Sequence, residues 1–156
     1  MVSRISKDAV RCAMRELLNR FIQLERTLAD ERGEFGLFAL FLRDDAGAGL
    51  GTSGYSGYSA KWDLVAAAEW IEGNRKNALL YITRNIQEVF TVIELSQLSR
   101  IVLVDLNNPE VAAINRSVTV QHGQAEIRDN NFFGLQIKHA YIITSQRTNV
   151  NEQIPA

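Results

Sequence analysis

Cysteine and proline are scarce in this chain, which has one cysteine and two prolines among its 156 residues. Cys12 alone cannot form an intramolecular disulfide, so the sequence favours a reducing compartment and we expect a cytoplasmic protein. A chain of this length buries roughly two-thirds of its unfolded surface on folding and needs neither a disulfide nor a metal to hold its core. The composition therefore argues against a small disulfide-rich scaffold.

Neither sign of charge dominates, because 17 lysines and arginines nearly balance 18 aspartates and glutamates, for a net charge of -1. This balance argues against general nucleic-acid binding and against attraction to acidic membranes. No apolar run approaches the roughly 20 residues that span a bilayer, and the charged N-terminus does not resemble a secretory signal. We expect no membrane partner, one globular domain over residues 1–147, and a disordered polar tail over 148–156.

Two long amphipathic helices are predicted, one from Ser6 to Ala29 with Gly33 beyond its end and one from Asn74 to Phe90. The first has apolar residues at heptad spacing, namely Val10, Met14, Leu17, Phe21, Leu24 and Leu28. The second is expected to bury Leu79, Ile82, Ile86 and Val89. Capping signals at Thr91 and at Asn108 before Pro109 predict two short helices after it.

Strand signals complete the pattern. Residues 35–42 are apolar at odd and even positions alike, which predicts a central strand covered on both faces. Residues 61–68 suit either a strand or a helix, with the strand slightly favoured, and 100–105 read as another buried strand. The last third predicts a hairpin from Val118 to Ile143, with its turn at 130–134 and a bulge at Gly123.

The fold class that follows is α/β, with α+β left open: a mixed sheet of about five strands, covered by the two long helices and ending in a C-terminal β-hairpin. The first helix also carries Ala13, Leu18 and Ile22 beside its heptad stripe, which is more apolar surface than one sheet contact needs. A homodimer would cover the excess. The competing interpretation is that the hairpin covers it within one chain.

Five of the ten glycines fall within eleven residues, in a long loop directly after the strand at 35–42. Long loops that follow a buried strand often carry function. The letters of a dinucleotide fingerprint occur here, but no helix follows them, which argues against nucleotide binding. The leading hypothesis is a small binding or regulatory module that uses loop 46–59 as its contact surface for a protein or small-molecule ligand. Its expected contact residues are Gly49, Gly51, Gly54, Tyr55, Tyr58, Lys61 and Trp62, and no cofactor is predicted.

An alternative hypothesis is a metal-dependent enzyme acting on a phosphate compound, so whether the chain is an enzyme stays open. If the first two strands form a hairpin and the strand at 100–105 runs parallel to the first, Asp45, Asp63 and Asp105 gather at one sheet edge. Clustered carboxylates suit Mg²⁺. Aspartate is also common where strands simply stop.

The two histidines, His122 and His139, are predicted to approach each other on the apolar face of the hairpin. A zinc site would need further ligands, and Cys12 lies far away on a helix. Hydrogen-bonded core histidines are the favoured interpretation.

Overall fold

The computed structural model describes residues 7–43 and 62–147. The α/β fold is confirmed, with a mixed five-stranded sheet and a C-terminal hairpin. Within the described ranges the elements are, in chain order, α1 (Lys7–Arg32), β1 (Phe35–Arg43), β2 (Trp62–Ala68), α2 (Glu69–Gly73), α3 (Arg75–Val89), α4 (Val92–Leu95), β3 (Leu98–Leu103), α5 (Pro109–Ser117), β4 (Ala125–Phe132) and β5 (Leu135–Ser145). None of these helices is long and apolar enough to cross a membrane. The expected tail at 148–156 lies outside the described residues.

The sheet has the strand order β3-β2-β1-β5-β4, so β1 lies at its centre. β1 pairs antiparallel with both β2 and β5, β4 pairs antiparallel with β5, and β2 pairs parallel with β3. Phe38 and Phe41 on β1 are buried in separate clusters on opposite faces of the sheet. The two-sided central strand predicted from the apolar run at 35–42 is therefore confirmed, as is the strand reading of 62–68.

Both long helices pack on the same face of the sheet, and a short helix covers the other face. Phe21 of α1 and Ile82 of α3 join Phe38 in one apolar cluster. On the opposite face, Val111 and Ile114 of α5 pack with Phe41. The layers are therefore helix, sheet and helix, with unequal cover on the two sides.

Helix ends form where the sequence signals place them. Gly33, at a φ of 133°, follows α1 and donates its N–H to the carbonyl of Ala29 at 2.9 Å, a backbone conformation that favours glycine. Asn74 caps α3, Thr91 forms a capping box that opens α4, and Asn108 caps α5. The capping predictions at Thr91 and Asn108 are confirmed.

The buried face of α3 differs from the predicted one. It presents Ala78, Ile82 and Ile86 to the core, whereas Leu79 is 39% exposed and Val89 is 46% exposed. The buried face of α3 is therefore rotated from the predicted one, with Ala78 rather than Leu79 facing the core.

The hairpin is shorter than predicted at its first strand, which begins at Ala125 rather than Val118. Upstream, Val120 forms only an isolated bridge to Ser145. The turn is the pair Phe133–Gly134, with φ values of 56° and 75°, rather than the whole stretch 130–134. Two consecutive positive φ values match a tight type I′ turn, whose twist suits a two-residue hairpin.

Leu18 and Ile22, the two extra apolar residues of α1 whose side chains are described, both contact the core of the same chain. Leu18 is 2% exposed and belongs to the cluster between helix and sheet. Ile22 is partly buried and packs against the same cluster. At Leu18 the competing interpretation, burial within one chain, therefore holds, and the apolar cluster that contains this residue includes Ile143 and Tyr141 of the hairpin strand β5.

Candidate functional site

The two ends of the sheet carry different chemistry. At the loop end, residues 44–61 join the end of β1 to the start of β2, and Leu42 pairs with both Trp62 and His139. At the opposite end, β1 begins at Phe35 beside Ala68 of β2. The sites predicted from sequence belong to the loop end, and the structure adds one at the opposite end.

Most of the predicted loop-end residues lie outside the described part of the chain: Asp45, Gly49, Gly51, Gly54, Tyr55, Tyr58 and Lys61. Trp62 is the first described residue after them and is 6% exposed. Its ring centroid lies 5.5 Å from that of Tyr141 and 5.9 Å from that of His139. The structure therefore places Trp62 in a group of three rings at the loop end.

A charged rim borders these rings on β4. Nε2 of His139 hydrogen-bonds to Glu126, whose carboxylate also accepts from Arg128 at 3.0 Å and 3.2 Å. The hydrogen bond from Arg128 and the contact with His139 outweigh burial and hold the pKa of Glu126 below its usual range. Burial, together with the negative charge of Glu126, raises the pKa of Tyr141. This edge of the loop end combines an aromatic surface with fixed charges of both signs.

The proposed Mg²⁺ ligands Asp63 and Asp105 do not meet. β3 runs parallel to β2 and therefore antiparallel to β1, contrary to the strand direction that the three-aspartate hypothesis required. Asp63 pairs with Arg100 at the start of β2, whereas Asp105 follows the far end of β3 and hydrogen-bonds to Arg75. Each of the two aspartates has an arginine partner, and the length of β2 separates them.

At the opposite end of the sheet a carboxylate is buried in the apolar layer. Glu25 of α1 is fully buried at 0% exposure, between helix and sheet. One of its oxygens lies 2.6 Å from Nδ1 of His122, and the other accepts a hydrogen bond from Oγ1 of Thr144 at 2.8 Å. The same hydroxyl accepts the backbone N–H of His122 at 3.0 Å. A buried charge is tolerated only with partners of this kind.

The second nitrogen of His122 faces another carboxylate. Nε2 lies 3.4 Å from Oε1 of Glu34, and that oxygen also accepts from the side-chain amide of Gln121 at 3.2 Å. The His122 side chain is 24% exposed and that of Glu34 is 51% exposed, so this part of the cluster meets solvent. His122 has a φ of 52°, a left-handed conformation that non-glycine residues rarely adopt and that often marks functional sites.

The histidine pair expected on the hairpin does not form. His139 on β5 contacts Glu126, whereas His122 precedes β4 and contacts Glu25 and Glu34. Neither of these glutamates is predicted from the sequence as a partner of a histidine. Glu25 lies seven residues after Leu18 and four after Phe21, on the apolar face of α1. An acidic residue inside an apolar stripe was the available signal for a buried polar partner.

No family model matches the chain, and comparison with curated proteins and with solved structures gives no match either.

Proposed function

We propose that this chain is a small interaction module that forms a homodimer through the outer edge of β3 and presents the loop end of its sheet to a ligand. The single observation that carries the dimer is the contrast between the two sheet edges. β3 and β4 are the edge strands, and a bare edge offers unpaired backbone groups to another strand.

β4 has the features with which proteins guard an edge. It carries Glu126, Arg128 and Asp129, and Asp129 has a φ of 49°, which interrupts the regular strand. β3 carries a single charge, Arg100, and Asp63 of the neighbouring strand pairs with it at 3.2 Å. The β3 edge is therefore the less protected of the two.

The middle of β3 provides the pairing groups. Val104 donates its N–H inward to Ala66, so the alternation of the strand turns the backbone groups of Leu103 and Ile101 outward. Arg75 donates to the Leu103 carbonyl at 2.8 Å and closes that end of the edge. No strand in residues 7–43 or 62–147 pairs with the outer side of Ile101.

Exposed apolar side chains stand next to this edge in the chain. Val92 is 82% exposed and Ile93 is 72% exposed, on helix α4, which leads directly into β3. A second copy related by a two-fold axis brings the same edge and the same two residues from the other side, because such interfaces are self-complementary. The proposed interface is therefore the edge of β3 around Ile101, together with Val92 and Ile93 of α4.

Sedimentation velocity of the full chain tests the dimer. We expect a dimer for the parent and a monomer for the double variant Val92→Glu/Ile93→Glu, whose sites are too exposed for the change to unfold the chain. Leu80→Glu is the matched control, because Leu80 is also apolar and 55% exposed but lies on α3. A parent that sediments as a monomer at high concentration, or a double variant that stays dimeric, contradicts the proposal.

The proposed ligand surface combines the partly exposed rings of His139 and Tyr141, which contact the buried ring of Trp62, with the charged rim of Glu126 and Arg128. Aromatic faces next to charged groups suit ligands with a planar ring and a polar handle. Chemical-shift mapping with adenosine, tryptophan and a tyrosine-containing peptide tests this surface. We expect shifts at His139 and Tyr141 that Glu126→Gln weakens; shifts confined to other surfaces argue against it.

The single cysteine, Cys12, supports a cytoplasmic setting for the module.

A further inference from the structure

We propose that His122 and Glu34 bind a divalent transition-metal ion, for which Zn²⁺ is the best match, and that the buried Glu25 positions the histidine. This site lies at the opposite end of the sheet from the loop and is independent of the dimer. It follows from three features of the cluster: one separation between donor atoms, one buried hydrogen bond, and the charge of the carboxylates.

The separation of the two exposed donors fits one metal ion. Nε2 of His122 and Oε1 of Glu34 are 3.4 Å apart. Two ligands at about 2.0–2.1 Å from a tetrahedral zinc lie about 3.4 Å from each other. Donor atoms of Glu25, Glu34 and His122 all lie within 4.8 Å of one another. An ion between the two exposed donors therefore requires little movement of either side chain.

Glu25 supplies the partner that metal-binding histidines usually have. Its carboxylate lies 2.6 Å from Nδ1 of His122, so a neutral imidazole donates its proton there and leaves Nε2 with a lone pair for the metal. Thr144 holds the other oxygen of the same carboxylate at 2.8 Å and also accepts the N–H of His122 at 3.0 Å. The buried pair of Glu25 and Thr144 thereby fixes both the ring and the backbone of His122.

The charge of the cluster favours a cation. Two carboxylates converge on one imidazole, and among the described residues the ion-pair contacts of Glu25 and Glu34 are with His122 and not with a lysine or arginine. A divalent ion at Nε2 would balance the two negative charges. Imidazole and carboxylate ligands together suit Zn²⁺ and related first-row ions better than Mg²⁺ or Ca²⁺, which prefer oxygen alone.

Two of the four coordination positions of the ion are left for other ligands. Two side chains fill two of four tetrahedral positions, and Gln121 already contacts Glu34 at 3.2 Å with its amide. A reversed amide, which has nearly the same shape, would turn its oxygen towards the ion. The remaining positions face solvent, so the ion would exchange readily and accept water or a ligand, unlike a closed structural zinc site.

Isothermal titration of the chelator-treated full chain with Zn²⁺ tests the site, and the visible absorption of tetrahedral Co²⁺ gives a second readout. Glu34→Gln is the decisive variant because its side chain is 51% exposed and the change leaves the core intact. We expect it to weaken zinc binding at least about 10-fold, and Glu25→Gln to weaken it about 10- to 100-fold, as for other partners of ligating histidines.

His122→Asn should abolish the site, and asparagine tolerates the positive φ at this position. His139→Asn is the matched control, because it removes the other histidine and its contact with a glutamate. The competing state is a protonated His122 that bridges two carboxylates without a metal. Zinc binding that is absent in the parent, equal in Glu34→Gln, or lost in His139→Asn overturns the proposal.

Discussion

Glu25 and His122 are 97 positions apart in the chain, yet the buried carboxylate of one lies 2.6 Å from the ring of the other. The contact joins the C-terminal half of α1 to the segment between α5 and β4. Thr144 on β5 completes the link through its hydroxyl. One polar connection therefore ties the long helix to the C-terminal hairpin inside an otherwise apolar layer.

Removing this carboxylate should destabilise the fold. Glu25→Ala leaves the ring of His122 and the hydroxyl of Thr144 without their buried partner, so we expect the free energy of unfolding to fall by about 3–5 kcal/mol. Urea denaturation measures the change. Glu16→Ala on the exposed side of the same helix is the control and should change it by less than about 0.5 kcal/mol. Equal effects of the two substitutions would mean that the buried pair contributes nothing.

Phe38 and Phe41 test whether both faces of the sheet hold the fold together. Their exposures are 0% and 2%, and each ring fills a different apolar cluster. Phe38→Ala and Phe41→Ala should each lower the free energy of unfolding by about 3–5 kcal/mol, because each leaves a cavity in its own layer. Thermal or urea unfolding measures both. A small loss at Phe41 alone would show that the α5 face collapses around the cavity.

The central strand could be predicted because its evidence is local. Residues 35–42 carry apolar side chains on both sides, and only a strand with two covered faces tolerates that pattern. The helix caps at Thr91 and Asn108 were predictable for the same reason. Strand order was not, because it depends on contacts between distant segments. The three-aspartate hypothesis required β3 to run parallel to β1, and because the two strands are antiparallel, Asp105 lies at the other end of the sheet.

The polar cluster was hidden from sequence reasoning because its members come from three separate segments. The hydrophobic pattern predicts that His122 lies in a strand beside His139, whereas β4 begins only at Ala125. Glu25 sits on an apolar helix face, and the heptad pattern continues around it. Only the folded chain brings these two residues to Thr144. Periodicity therefore predicts layers far better than it predicts polar contacts between layers.

The hairpin turn should depend on glycine for its backbone conformation rather than for space. Gly134 has a φ of 75°, and an added Cβ would meet no atom within 4 Å. Gly134→Ala should therefore cost about 1–2 kcal/mol through the left-handed conformation alone. Gly73→Ala is the matched control, since that site is equally open and has no positive φ; it should be neutral or stabilising by up to about 1 kcal/mol. Equal losses at both glycines would contradict this account, and urea midpoints measure them.

Glu126 should make stability depend on pH in the acid range. The hydrogen bond from Arg128 and the contact with His139 lower its pKa in the folded chain. Its contribution is therefore fully present above the ordinary pKa of glutamate and is lost as the pH falls through the lowered value. Glu126→Gln should be less stable than the parent at neutral pH and should match it in strong acid. A difference that persists unchanged in acid would assign the effect to packing instead of charge.

Leu18 tests whether the extra apolar surface of α1 is buried within one chain or between two copies. The residue is 2% exposed within a single chain and packs in the cluster between helix and sheet. Leu18→Glu should place an unpaired carboxylate there and unfold the chain or leave it with little cooperative structure, as circular dichroism would show. A second copy of the chain cannot relieve this penalty, because the position is covered before any assembly. The opposite result would be a folded variant that is a monomer although the parent is a dimer. In that case α1 rather than the β3 edge is the interface, and Leu18 must become exposed when two copies associate.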